Sequence, residues 1–265
     1  MANEYLYGAY GHIGDTIAQS AVQAGTTPIY IGTAPVNLVR GYDSAGVINI
    51  PVKVSNLVDA QRKLGYSSDW ETFTLCEGMT AHFDNTIGNI GPIYMINVLD
   101  PDIHKKETAT TKNLSFTGGR SEFKSDTIIL DSLVIADKVE GVDFTIDYNF
   151  TKGSVIISSV DPDTPLTGTI VATYDEIDST AIEDTDIIGG VTSGGVYSGL
   201  GSINLLYPEQ YAVANLIASP GWSEIPAVYN AMITASQKIN GHWDAFVIAD
   251  IPLEFGGSAI DTIQA

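Results

Sequence analysis

Apolar positions along the chain follow two different rhythms. Between residues 27 and 98 they gather into short unbroken runs and helical stripes. Pro28-Ile29-Tyr30-Ile31-Gly32 and Ile93-Tyr94-Met95-Ile96-Asn97-Val98 are flanked by turn residues, as strands buried on both faces should be. Leu57, Ala60 and Leu64 recur at helical spacing, which predicts a helix capped by Ser55 and closed by Gly65. A second helix is expected over 72–84, with Phe73, Cys76, Met79 and Phe83 on one face. Strand, helix, helix, strand with apolar strands argues for an α/β layer.

Between 105 and 186 the period shortens to two. Segments 114–117, 128–130, 144–148, 155–157 and 170–174 read as period-2 strands, and 144–148 with 155–158 reads as a hairpin. The helical pattern then returns. Ala214-Asn215-Leu216-Ile217-Ala218 and Ala245-Phe246-Val247-Ile248-Ala249 read as strands. Between them Ser223 is expected to cap a helix that carries Ile225, Val228, Tyr229, Met232, Ser236 and Ile239. Pro226 suits its first turn, and Asn240-Gly241 its end. Residues 258–265 open like a capped helix and stop after one turn, so the chain is expected to be part of a longer protein. The first 26 residues mix aromatics with glycines, as in Tyr5-Leu6-Tyr7-Gly8-Ala9-Tyr10-Gly11. They read as an arm seeking a partner surface, or as an edge strand of the chain's own sheet.

The expected fold is therefore α/β (α+β): an α/β sandwich core over 27–104 and 187–265, truncated at its C-terminus. An inserted all-β domain over 105–186 interrupts it, and an extended N-terminal arm over 1–26 precedes it.

Charge narrows the partners. The 265 residues include 12 Lys and Arg against 32 Asp and Glu, a net −20, which disfavours nucleic acid and anionic membrane surfaces. Residues 153–265 hold one cation, Lys238, and 14 carboxylates, so part of the molecule should be strongly negative. Cys76 is the single cysteine and excludes an intramolecular disulfide. No apolar run approaches the ~20 residues of a membrane span, and residues 1–5 lack the pattern of a secretion signal. The expectation is a soluble chain that folds inside the cell.

Candidate chemistry is sparse. His12, His82, His104 and His242 show no zinc-protease spacing and read as surface or capping residues. The glycines from Gly189 to Gly201 lack a phosphate-loop Lys-Ser/Thr and read as a flexible connector. Ser121-Glu122-Phe123-Lys124 has the S-x-x-K string, but in a strand its Ser and Lys face opposite sides. Asp175, Glu176, Asp178, Glu183, Asp184 and Asp186 could be imagined around calcium. They lack the EF-hand pattern and read as a solvated linker. No catalytic residue, cofactor or metal ligand is assigned.

Three segments together resemble the tail sheath proteins of contractile phage tails and R-type bacteriocins. They are Pro28-Ile29-Tyr30-Ile31-Gly32-Thr33-Ala34-Pro35-Val36-Asn37, Gly91-Pro92-Ile93-Tyr94-Met95-Ile96-Asn97-Val98, and Ile217-Ala218-Ser219-Pro220-Gly221-Trp222-Ser223. The Pro220-Gly221-Trp222-Ser223 turn and the Ala249-Asp250-Ile251-Pro252 strand end are its most specific elements. The resemblance implies a mechanical, non-enzymatic subunit that polymerises helically around a tail tube. Contraction of that polymer drives the tube through a cell envelope. The implied partners are neighbouring sheath subunits, the tail tube protein, and baseplate and tail-terminator proteins, without nucleic acid or membrane insertion. Assembly would occur in the bacterial host cytoplasm, before release as a virion tail or bacteriocin particle. Tyr5, Leu6, Tyr7 and Tyr10 are the candidates for linking subunits. Family members continue into a C-terminal domain that packs near the tube. Two other readings are a β-rich cell-surface or adhesion module, and an α/β enzyme with a β lid whose site loop would be 220–223.

Overall fold

The computed structural model describes residues 26–251 and the pairs 254–255 and 258–259. The first layer opens with β1 (Pro28–Gly32), a short 3-10 turn, α1 (Tyr42–Ala45), β2 (Val52–Val54), α2 (Leu57–Leu64), α3 (Leu75–Phe83) and β3 (Ile93–Asn97). Six strands follow: β4 (Thr110–Phe116), β5 (Arg120–Lys124), β6 (Val134–Ile135), β7 (Phe144–Asn149), β8 (Ser154–Ser159) and β9 (Gly168–Tyr174). The chain then makes α4 (Asp184–Ile188), β10 (Gly190–Val191), β11 (Tyr197–Ser198) and a 3-10 segment over Gly199–Leu205. It ends through α5 (Leu206–Gln210), β12 (Leu216–Ala218), α6 (Pro226–Ser236), β13 (Phe246–Ile248), β14 (Glu254–Phe255) and β15 (Ser258–Ala259). The mixed α/β class expected from the sequence is what the chain adopts.

One five-stranded sheet, in the order β13-β12-β1-β3-β2, joins strands from both ends of the described chain. Four of its strands are parallel, and β2 runs antiparallel on β3. β1 and β3 sit inside it, which explains why both read as unbroken apolar runs: Ile29, Ile31, Met95 and Ile96 are fully buried. Tyr30 and Met95 point toward α3, where a Cβ on Gly78 would meet the Tyr30 ring and the Met95 methyl at ordinary van der Waals distance. Cys76 on α3 is buried, and burial pushes its thiol up to about 12. A thiol reagent at neutral pH should therefore label Cys76 only as fast as the fold opens. Labelling as quick as that of free cysteine would show the layer to be loose.

Strands β4–β9 pair among themselves, as the sheets β4-β9-β6 and β5-β8-β7. Leu114, Phe116, Phe144, Ile146, Val155 and Ile157 are buried between the two sheets in one shared core. Side chains cross the seam between this core and the first. Leu38 enters the β core, while Ile129 and Ile177 enter the α/β core. Asn37 Nδ2 donates to the carbonyls of Asp126 (2.9 Å) and Ile128 (2.8 Å), and Arg40 donates to Leu130 O (2.8 Å) and pairs with Asp131 and Glu140. Asp126 accepts from Ser67 on one side and from Tyr148 on the other.

Several local expectations need correction. Asn56, not Ser55, caps α2: its side chain accepts from Asp59 N at 2.9 Å. The second helix starts at Leu75 rather than 72, because Thr72 and Thr74 are held by Thr33 through its hydroxyl. Residues 128–130 form no ladder strand. Ile128 and Leu130 feed one core and Ile129 the other, and the chain turns at Leu130–Ser132. The run 189–201 is not a flexible connector. It forms the β10–β11 hairpin and a 3-10 segment with Leu200 and Ile203 buried. Gly201 permits this, since a Cβ there would collide with Gly190 O. The sixth helix stops at Ser236, whose carbonyl accepts from Ala245 N, and Ile239 is buried by the turn that follows. Ser258–Ala259 pairs antiparallel with Glu254–Phe255 instead of opening a helix. The intervening Gly256-Gly257 is a dipeptide that favours hairpins.

Candidate assembly site

In an open parallel sheet, ligands enter at the C-terminal ends of the strands, where the connections diverge from a central strand. Here that end is filled. Ser219 donates to Ile31 O at 2.8 Å, and Thr33 N donates to Thr74 Oγ1 while Thr74 N donates to Thr33 Oγ1. Asn97 Oδ1 accepts from Ala34 N (2.8 Å) and Leu99 N (3.1 Å), and its Nδ2 donates to Leu99 O (2.8 Å). Thr33, Asn97, Ser219 and Ser223 are all buried. Their hydrogen bonds are directed at one another and at the backbone, so this end forms a rigid floor rather than a substrate crevice.

The turn singled out from sequence completes that floor. Gly221 adopts φ +71° and lies against Thr74, and its N–H donates to Asp250 Oδ2 at 2.8 Å. Ser223 does not cap the following helix. Its hydroxyl donates to Asp250 Oδ2 (2.9 Å) and accepts from Asp250 N (2.8 Å). The helix starts at Pro226 with no side-chain cap. Trp222 packs on the α/β core, and its Nε1 is buried without a partner. Within the turn Pro220-Gly221-Trp222-Ser223, Gly221 and Ser223 thus tie the end of β12 to the end of β13, with Asp250 as the partner that sequence reading missed. Asp250→Ala removes both bonds to its carboxylate, one from Gly221 N and one from the Ser223 hydroxyl. It should cost about 2 kcal/mol, measurable as a lower urea midpoint at unchanged slope.

The two edges of the sheet differ. At β2, Lys63 Nζ donates to Lys53 O at 2.6 Å and so occupies a carbonyl on the outer strand, a common way of blunting an edge. At β13, Phe246 N donates inward to Asn215 O, so alternation directs the Val247 amide outward. Among the described residues nothing pairs with that outer edge. Phe246 (82%), Ile248 (53%) and Ile251 (59%) are exposed along it. Ile248 also lines a largely apolar groove of about 450 Å³ at the opposite, N-terminal end of the strands, walled by Tyr30, Pro92, Tyr94 and Leu216. Thr26, the first described residue, stands in the same wall. Tyr5, Leu6, Tyr7 and Tyr10, the expected linking residues, lie outside the described residues.

The remaining candidates have structural surroundings. Ser121 is buried and Lys124 exposed on opposite faces of β5. His82 bridges the Tyr30 hydroxyl (2.7 Å) and Ile90 O (2.9 Å). His104 is buried rather than on the surface, accepting from Asp100 N at 3.0 Å with Asp186 3.6 Å away. His242 lies against Trp243, and His12 lies outside the described residues. Asp175 and Glu176 pair with Lys105 and Lys106. Among the described residues no group of His, Cys, Asp or Glu has metal-holding geometry, and no helix is long and apolar enough to cross a membrane.

No protein-family model matches the chain. Over 228 residues, 84% of this chain, it is 25% identical to the tail sheath protein of Burkholderia phage BcepMu. The chain spans 44% of that relative's length. The relationship agrees with the family resemblance carried by the three sequence segments.

Proposed function

We propose that this chain, a relative of the phage tail sheath proteins, is a structural subunit of a contractile sheath. In this reading copies polymerise helically around a tail tube, and the polymer contracts to drive the tube through a target-cell envelope. A helical polymer needs a heterologous contact that does not close on itself. Contraction needs a second packing of the same subunits, together with links that survive the change. Main-chain pairing at a sheet edge provides such links, because strand addition holds while the connecting segment bends.

The observation that carries this reading is the apolar edge of β13, unpaired among the described residues, in a chain related to a sheath protein. That edge would accept a strand from a neighbouring copy, with Tyr5, Leu6, Tyr7 and Tyr10 as the donor arm. The α/β part (27–104 and 187–265) and the β insertion (105–186) would travel together. Asn37, Arg40 and Asp126 fasten the seam between them. The tail tube protein, baseplate and tail terminator would be further partners. Assembly would take place in the host cytoplasm before release in a virion or bacteriocin particle.

Negative-stain microscopy tests the proposal, with the chain alone and extended to the length of its relative. Tubes from the extended chain that vanish on deletion of residues 2–25 are expected. Tubes that persist without the arm would overturn the arm assignment. Failure to form tubes with or without tail tube protein would overturn the sheath reading.

A further inference from the structure

Four of the 12 cations on this acidic chain, Arg40, Lys53, Arg62 and Lys63, line one groove of about 530 Å³ beside the blunted β2 edge. No carboxylate lines it, and Ile50 and Pro51 contribute apolar wall. Three carboxylates neutralise the cations only in part from outside the lining. Arg40 holds Asp131 and Glu140, whereas Arg62 and Lys63 share Asp59 alone. Lys53 is in no ion pair among the described residues, and the Arg62 side chain is 77% exposed. Because Lys63 already occupies the Lys53 carbonyl, the groove is suited to side-chain docking rather than to an added strand.

The same chain carries a complementary surface. Segment 178–186 holds Asp178, Glu183, Asp184 and Asp186 within nine residues. The first three are in no ion pair among the described residues, and Asp186 accepts from Glu183 N at 2.8 Å and lies 3.6 Å from His104, its one ion-pair partner among the described residues. We propose that the cationic groove of one copy docks the acidic segment 178–186 of a second copy. Groove and segment are different surfaces, so the contact is heterologous and repeats from copy to copy. It rests on the reading that copies of this chain polymerise, and it adds a charge-steered contact to the strand exchange at β13. Rim charges of this kind govern encounter rate and salt dependence.

Sedimentation velocity on the full chain, across a concentration series, tests the contact with two charge-reversed variants. Lys53→Glu/Arg62→Glu makes the groove acidic, and Asp178→Lys/Asp184→Lys makes the segment basic. Each alone should weaken self-association at least tenfold, with its melting temperature confirming the fold. An equimolar mixture should recover association to within about threefold of the unsubstituted chain, because groove and segment are again opposite in sign. Raising salt from 50 to 500 mM should weaken the unsubstituted chain about tenfold. Variants that associate like the unsubstituted chain would overturn the proposal, as would a mixture no stronger than its parts. Tubes formed by either variant would remove this contact and keep the sheath reading. Rescue in the mixture without tubes under any condition would keep the contact and remove the sheath reading.

Discussion

Replacing both Phe246 and Ile248 with lysine is expected to leave the chain folded and stop it assembling. Both side chains are largely exposed, 82% and 53%, so their loss should change stability by no more than about 0.5 kcal/mol. The edge they flank changes far more. An incoming strand would desolvate two lysine ammonium groups beside its own backbone, which is how natural sheets repel strand addition. Where the unsubstituted protein forms tubes, the double variant should form none at the same concentration, with an unaltered melting temperature. Tubes of ordinary length from the variant would mean that β13 is not the acceptor edge, and would direct attention to contacts beyond the described strands.

Asn97→Leu should produce a large loss of stability at the closed end of the sheet. The Asn97 amide satisfies Ala34 N, Leu99 N and Leu99 O from a fully buried position. Leucine fills the volume but leaves two donors and one acceptor dry, each worth about 1–3 kcal/mol. A loss of about 3–5 kcal/mol is expected, a large share of the 5–15 kcal/mol typical of a domain. Asn97→Asp keeps the acceptor but buries a carboxylate whose second oxygen faces Leu99 O, and should cost at least as much at neutral pH. Equilibrium urea unfolding compares the three proteins. A loss below about 1 kcal/mol for the leucine variant would show that water or a backbone shift replaces the amide.

The sequence alone determined the elements whose burial depends little on which partner they meet. β1 and β3 are apolar on both faces, so any central position in a sheet gives the same run of residues. The stripe of Leu57, Ala60 and Leu64 and the alternation in β7 likewise fix a face before a partner is known. The segments that resemble tail sheath proteins were legible for the same reason, being a buried strand or a strand end with its turn.

Tertiary structure decided what depends on residues distant in sequence. Ser223 looked like a helix cap because capping is local, but Asp250, 27 residues on, took its hydroxyl. Thr33 shortened a helix by holding residues about 40 positions away. Residues 128–130 looked like a strand, yet their side chains alternate between two cores that exist only once the seam has formed. Which sheet edge is blunted, and which has no pairing strand among the described residues, was decided in the same way. Lys63 reaches back to Lys53 only after α2 has packed beside β2. Composition gives the chain its net charge, but the fold gathers four cations into one groove, since strand order and helix packing set which charges become neighbours.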